Sequence, residues 1–186
     1  MGIDEAGRGP LAGPVVVAAV MLPEGFDRTG LNDSKKLKPA QREALALRIR
    51  EGASWAVEVV PPGEIDRLNI LGATLLGMTH AAFALRGWER ALIDGSTIPP
   101  DLRGRAECVV KGDGKIAEIA AASILAKTTR DALMVAMEEV HPGYGFAAHF
   151  GYPTPSHLEA LARLGPCPEH RRSFAPVREA ALRHGV

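Results

Sequence analysis

Four acidic residues are placed where they could do chemistry, since each lies at the end of a short apolar stretch and close to a glycine-containing turn. They are Asp4, Glu5, Asp94 and Asp113. An adjacent pair of carboxylates between apolar segments is costly to bury without a partner. Oxygen donors with no His or Cys companion suit Mg²⁺ or Mn²⁺ and suit Zn²⁺ poorly. Two such ions about 3.5–4 Å apart can activate a water and stabilise a leaving oxygen in phosphodiester cleavage.

Asp94 and Asp113 each have a simpler interpretation as turn or helix-capping residues, because each is followed by a glycine after a strand-like segment. Carboxylates gathered closely would also repel one another and raise one another's pKa unless a cation neutralised them. The Asp4–Glu5 pair stands at the end of a third strand-like segment. A metal site shared by all four acids is therefore favoured over separate turns.

Two further segments carry groups suited to a sugar or a base. Gly7-Arg8-Gly9 could bring backbone N–H groups close to a ligand. The segment lacks the ending of a P-loop and the glycine spacing of a dinucleotide fingerprint, so by itself it is a tight turn. Tyr152 offers a ring for stacking on a sugar or base, and packing within its own loop explains it equally well.

Basic and hydroxyl side chains recur in two places. They are Ser34, Lys35 and Lys36 in a polar loop, and Ser123, Lys127 and Arg130 at helical spacing on one face. Taken alone, each set is better explained as a solvated face. Arginine also outnumbers glutamate from Arg163 onward, which indicates either an anionic partner or a solvated terminal surface.

The elements that must position these residues alternate between strand-like and helical patterns. Strands are expected at 2–5, 15–22, 55–60, 89–93 and 106–110. Helices are expected at 40–50, 64–85 in two pieces, 116–140, 156–164 with Ser156 as its cap, and from 176 onward, with a loop over 144–155. This alternation predicts an α/β protein with a mixed sheet. The first two strands are joined too tightly for a crossover helix and should pair antiparallel.

Composition narrows the class of protein. The 186 residues have a formal net charge of zero and 46% hydrophobic content, which is ordinary for one globular core. We predict a single domain over 1–164 and a small helical extension over 165–186. No apolar run reaches membrane-spanning length, and Cys108 and Cys167 have no metal-site spacing, so we expect reduced thiols and a cytoplasmic protein without a membrane contact.

Eight motifs in order resemble bacterial ribonuclease HII, a type 2 ribonuclease H. They are Asp4-Glu5-Ala6-Gly7-Arg8-Gly9-Pro10, Asn32-Asp33-Ser34-Lys35-Lys36-Leu37, Leu92-Ile93-Asp94-Gly95, Lys111-Gly112-Asp113, Ala121-Ala122-Ser123-Ile124-Leu125-Ala126-Lys127, Thr129-Arg130-Asp131, Gly151-Tyr152-Pro153-Thr154 and His170-Arg171-Arg172-Ser173-Phe174. The resemblance covers nearly the whole chain. It implies an RNase H-like fold, in which helices flank a mixed central sheet and a helical C-terminal extension helps to hold the duplex.

The resemblance also implies an activity and a role for each matching residue. The enzyme would hydrolyse RNA in RNA–DNA hybrids and cleave 5′ to ribonucleotides embedded in duplex DNA, leaving 3′-OH and 5′-phosphate ends. Its Mg²⁺ or Mn²⁺ ions, two per site, would be held by Asp4, Glu5, Asp94 and Asp113. Gly7, Arg8 and Gly9 would read the 2′-OH, Tyr152 would stack on the following deoxyribose, and Lys35, Lys36, Ser123 and Lys127 would contact phosphates. We expect a monomer.

The chain departs from the family pattern in two places, and two alternatives to this function stay open. Only Met1, Gly2 and Ile3 precede Asp4, fewer than relatives usually carry, and Phe150 stands where lysine is common. One alternative is another RNase H-like polynucleotidyl hydrolase, of the junction resolvase type, which needs no 2′-OH. The other is a non-catalytic hybrid-binding protein in which a short first strand has misplaced Asp4 and Glu5.

Overall fold

A five-stranded mixed sheet lies at the centre of the computed structural model, which describes residues 1–186. Its strands are β1 (Gly2–Ala6), β2 (Val15–Met21), β3 (Ser54–Val60), β4 (Ala91–Asp94) and β5 (Ala106–Val109), in the spatial order β3-β2-β1-β4-β5. β2 pairs antiparallel with both β1 and β3, whereas β4 pairs parallel with β1 and β5. The predicted α/β class, the mixed sheet and the antiparallel first pair are all confirmed.

Six helices surround the sheet. They are α1 (Pro39–Gly52), α2 (Pro62–Ala84), α3 (Ala117–Val140), α4 (Phe146–His149), α5 (Pro155–Leu164) and α6 (Ala175–His184). Val16, Ala18 and Val20 of β2 pack in one cluster with α1 and α3. The alternate residues Val17 and Ala19 pack with α2 on the opposite face. Because both faces of β2 are buried, its sequence is a continuous apolar run without polar alternation.

β1 forms a complete central strand despite its position near the start of the chain. Gly2 lies opposite Val20 on one side and Leu92 on the other, and the Leu92 N–H donates to the carbonyl of Met1 at 2.9 Å. A Cβ at Gly2 would lie 2.2 Å from the carbonyl carbon of Glu118, so α3 packs directly on this backbone. The short first strand therefore does not misplace Asp4 and Glu5.

The prediction of a helix in two pieces is confirmed, and two other local predictions need correction. The break in α2 lies at Asn69, whose φ is +59° and whose side-chain oxygen accepts hydrogen bonds from the next turn of the helix. The expected loop 144–155 contains the short helix α4. Thr154 caps α5 in place of Ser156, because its hydroxyl accepts the His157 N–H at 3.3 Å. In addition, none of the helices combines the length and the apolar character needed to cross a membrane.

Candidate active site

A cleft at one edge of the sheet collects residues that are far apart in the sequence. β1, β4 and β5 run parallel, so their carboxyl ends meet at this edge, where sites form in α/β sheets. The predicted acids, turn, tyrosine and most of the predicted phosphate contacts line it. The lining residues are Asp4, Glu5, Ala6, Gly7, Arg8, Gly9, Ser34, Lys35, Asp94, Asp113, Ser123, Lys127, Arg130 and Tyr152.

Asp4 is the most enclosed of the four acids. It lies in β1, is 5% exposed, and its Oδ1 accepts the Glu5 N–H at 2.7 Å. Burial raises its pKa well above the usual range, and the charges of Glu5 and Asp94 raise it further. A nearby cation would favour the ionised form of a buried carboxyl with two like-charged neighbours.

Glu5 and Asp113 show the same tendency more weakly. Burial raises the pKa of Glu5, opposed by Arg8, whose Nη1 lies 3.5 Å from its Oε1. Asp113 lies in a 3₁₀ turn (Gly112–Gly114) directly after β5. Burial and the charges of Asp33 and Asp94 raise the pKa of Asp113.

Asp94 ends β4 and ties two sides of the cleft together. Its Oδ1 accepts the Gly112 N–H at 2.7 Å. A Cβ at Gly112 would lie 2.6 Å from the side chain of Ile119, so only glycine allows the 3₁₀ turn to approach α3 this closely. One oxygen of Asp94 therefore has the role expected of a turn residue, while the carboxylate also lines the cleft.

The four acids share the cleft without converging on one point. No three His, Cys, Asp or Glu side chains lie close enough together to form a finished set of metal ligands. Three of the four acids each have an oxygen that accepts a hydrogen bond within the protein, Asp4 from the Glu5 N–H, Glu5 from Arg8 and Asp94 from the Gly112 N–H. The donor set nevertheless fits a hard divalent cation, because it is all oxygen and because burial and nearby carboxylates raise the pKa of Asp4, Glu5 and Asp113.

The Gly7-Arg8-Gly9 turn presents unpaired backbone donors beside the acids. The N–H groups of these three residues donate no hydrogen bond within the protein. The ring of Tyr152 lies beside the turn, since a Cβ on Gly9 would be 3.6 Å from its Cε1. Tyr152 is 40% exposed, so part of its ring is accessible from the cleft that it lines.

The basic and hydroxyl groups divide into those inside the cleft and those outside. The Ser123 hydroxyl donates to the Ser34 hydroxyl at 2.9 Å, across 89 positions of sequence. Lys127 donates to Asp131 at 2.7 Å, and its Nζ lies 5.0 Å from the centre of the Phe150 ring. Lys36 does not line the cleft and lies 4.0 Å from Asp33.

Sequence reasoning misjudged one face and missed two residues. The face bearing Ser123 and Arg130 is not solvated, because these residues are 5% and 1% exposed. Ser34 lines the cleft but was not singled out as a phosphate contact. Arg171, also buried, binds the backbone of the Gly7 turn from the far end of the chain. For Arg130, its helical spacing from Ser123 was the one sequence feature that pointed to the cleft.

Comparison with known proteins identifies one family, and the match covers nearly the whole chain. The family model described as Ribonuclease HII matches residues 1–177. Ribonuclease HII of Neisseria meningitidis serogroup C (strain 053442) is 58% identical over 180 residues, which are 95% of this chain and 92% of the relative.

Solved structures agree with this result. The crystal structure of ribonuclease H2 from Pyrococcus horikoshii OT3 superposes with a TM-score of 0.80 at 28% identity, covering 98% of this chain and 96% of that one. Bst-RNase HIII in complex with Mn²⁺ shares the fold, with a TM-score of 0.76 at 22% identity, over 97% of this chain and 68% of that one. The chain therefore belongs to the ribonuclease HII family and is a divalent-metal-dependent endoribonuclease that acts on RNA–DNA hybrids.

Proposed function

We propose that this endonuclease also cleaves on the 5′ side of single ribonucleotides in duplex DNA, leaving 3′-OH and 5′-phosphate ends. The observation that carries the proposal is the juxtaposition of four carboxylates with three unpaired backbone N–H groups in one cleft. The carboxylates suit the reacting phosphate and its metal ions, and the N–H groups suit a sugar hydroxyl. Metal-assisted hydrolysis and sugar recognition would therefore act together on a phosphodiester next to a ribose.

Asp4, Glu5, Asp94 and Asp113 would hold two divalent ions, Mg²⁺ or Mn²⁺. The ions, when bound, supply activation of the attacking water and stabilisation of charge on the leaving oxygen. Asp4 contributes a buried carboxylate to the lining of the cleft. The Gly112 N–H donates to one oxygen of Asp94 and so orients this carboxylate, and Nη1 of Arg8 lies 3.5 Å from Oε1 of Glu5.

The turn and the tyrosine would recognise the two sugars on the 3′ side of the scissile bond. A 2′-OH can accept a hydrogen bond, so the free N–H groups of Gly7, Arg8 and Gly9 favour ribose over deoxyribose. The exposed ring of Tyr152 beside Gly9 would stack on the deoxyribose that follows. Recognition of one ribose followed by one deoxyribose selects an RNA–DNA junction.

Phosphate contacts would come from both sides of the cleft. Lys35, Ser123 and Lys127 line it and would bind the phosphates nearest the reaction. Lys36 lies outside and would bind a phosphate further along the strand. Phe150 stands where lysine is common in relatives, so this position offers no cation to a phosphate and instead places an aromatic ring near Lys127.

The remaining assignments concern the whole molecule. We propose a catalytic domain over 1–164 with residues 165–186 packed on it as an extension, because Val177 and Ala180 of α6 join Leu161 of α5 and Leu11 of the turn in one apolar cluster. Two unpaired cysteines are consistent with the cytoplasm, and a cleft completed within one chain is consistent with a monomer.

The test compares a duplex that contains one embedded ribonucleotide with an all-DNA duplex and a DNA junction, in Mg²⁺, Mn²⁺ and EDTA. We expect cleavage of the first substrate only, at the 5′ side of the ribonucleotide, and none in EDTA. Asp94→Asn should lower the rate by about 100-fold or more, because it removes one anionic ligand, whereas Asp101→Asn on an exposed 3₁₀ turn should not. Cutting of the all-DNA junction would favour the resolvase alternative, and binding without cleavage would favour a non-catalytic protein.

A further inference from the structure

Two arginine side chains, Arg130 of α3 and Arg171 beyond α5, are buried almost completely. They are 1% and 0% exposed. Every hydrogen bond of their guanidinium groups goes to a backbone carbonyl and none to a carboxylate. A buried cation is costly, so its place is kept only where a defined set of acceptors replaces water. The location of those acceptors shows what the two side chains hold.

The acceptors lie almost entirely in the turn that joins β1 to β2. Arg171 donates to the carbonyls of Gly7 at 2.6 Å, Gly13 at 2.9 Å and Arg8 at 3.0 Å. Arg130 donates to the carbonyls of Pro14 at 3.0 Å and Ala12 at 3.1 Å, and to that of Phe150 at 3.0 Å. The Arg171 backbone N–H also donates to the carbonyl of Leu11 at 2.8 Å. Six of the eight carbonyls from Gly7 to Pro14 are thus bound by these two residues.

This arrangement determines which side of the turn faces the cleft. The bound carbonyls are directed into the protein, whereas the N–H groups of Gly7, Arg8 and Gly9 remain without a partner. A Cβ at Gly7 would lie 2.0 Å from Nε of Arg130, and Gly7 has a φ of +95°. Glycine is needed here because a guanidinium group approaches the backbone closely and because the conformation is left-handed.

We propose that Arg130 and Arg171 are positioning residues that hold the Gly7–Pro14 turn with its N–H groups toward the substrate and thereby set the preference for ribose over deoxyribose. The inference rests on the proposed function, in which this turn reads the 2′-OH. It also gives the C-terminal segment a part in specificity, since Arg171 reaches the turn from beyond α5.

The chemistry of the guanidinium group is essential to this role. Three carbonyls in different directions require a rigid planar fork of donors, which a lysine ammonium does not provide. Burial, and then the charge of Arg130, lower the pKa of Arg171 to about 9, so the Arg171 side chain remains cationic at neutral pH. Arg171→Lys and Arg130→Lys keep a basic side chain and lose the fork. Arg172→Lys is the matched control, because Arg172 is exposed and only its backbone N–H is bound.

The experiment measures affinity for two duplexes that differ by one 2′-OH, by fluorescence anisotropy in Ca²⁺, beside single-turnover cleavage in Mg²⁺. Each variant is first compared with the wild type by circular dichroism and thermal melting. We expect Arg171→Lys and Arg130→Lys to lower the ribose-to-deoxyribose affinity ratio by about 10-fold, as for the loss of about one well-placed hydrogen bond, with little change for the all-DNA duplex. Arg172→Lys should keep the wild-type ratio.

The outcomes separate this inference from the proposed function. A wild-type protein without any ribose preference would refute the proposed function and the inference together. If the wild type shows the preference and folded Arg171→Lys and Arg130→Lys retain it, only the positioning role is refuted. If both lysine variants fail to fold while Arg172→Lys folds, the arginines serve folding alone and the positioning role is again refuted.

Discussion

A buried network of three histidines beneath the Tyr152 loop should make the protein sensitive to acid. The Cys167 N–H donates to Nδ1 of His170 at 3.1 Å, so the proton of His170 is on Nε2. Nε2 of His170 lies 3.1 Å from Nε2 of His157, which must accept. The Nδ1–H of His157 then donates to the carbonyl of Tyr152 at 2.9 Å. Each ring is therefore neutral and has a single tautomer.

The third histidine completes the network under the same loop. Nδ1 of His149 accepts the Gly151 N–H at 3.2 Å, and its Nε2–H donates to the carbonyl of Tyr144 at 2.8 Å. The rings of His149 and His157 stack with their centres 4.4 Å apart. A proton added to any of these rings would replace an acceptor with a donor that faces another donor.

The size of the effect follows from the pKa of His170. Burial, and then the charge of His157, lower it from 6.5 to about 3. The folded pKa is the lower one, so the unfolded chain takes up the proton first and stability falls as the pH drops from about 6.5 to about 3. Between pH 7 and pH 5 this single group should cost about 2 kcal/mol, at about 1.4 kcal/mol per pKa unit.

The assay is urea denaturation at pH 7 and pH 5 in EDTA, with wild type, His170→Gln and the exposed control His184→Gln. The raised pKa values of Asp4 and Glu5 act in the opposite direction, since a folded state that binds protons more tightly gains stability as the pH falls. This gain is common to all three proteins and cancels in their comparison. His170→Gln should lose about 2 kcal/mol less than the wild type between the two pH values, and His184→Gln the same as the wild type. An equal loss in wild type and His170→Gln would refute the reasoning.

Three further changes have defined outcomes. Gly2→Ala should lower the free energy of unfolding by about 1–3 kcal/mol, since its Cβ would meet the Glu118 backbone at 2.2 Å; an unchanged melting temperature would contradict this packing. Gly7→Ala should leave the all-DNA affinity unchanged and reduce cleavage at an embedded ribonucleotide, because its Cβ collides with Arg130; an unaltered single-turnover rate would count against it. Lys35→Ala should reduce the slope of log affinity against log salt by about 1, and an unchanged slope would remove Lys35 from the phosphate contacts.

The sequence alone was sufficient for the sheet and for the acids at its edge. The β-branched run of β2 has no polar alternation, which already indicates a strand buried on both faces. The tight turn after Glu5 requires an antiparallel first pair, as observed. Asp94 and Asp113 follow strand-like segments, and the carboxyl ends of those strands meet in one cleft. These features are local, so spacing and residue type reveal them.

The segments that pack against each helix face and helix end are visible only in the tertiary structure. Helical spacing placed Ser123 and Arg130 on one side of α3, but whether that side meets water depends on segments 89 and more than 110 positions away. Thr154 and Ser156 are equally good caps by residue type, and the backbone position of His157 selects Thr154. The acid pair looked like half of a metal site, and the structure adds that its neighbouring turn is held from the C-terminal segment by Arg171. Periodicity shows which side chains share a face, whereas burial and partners arise from packing between distant segments.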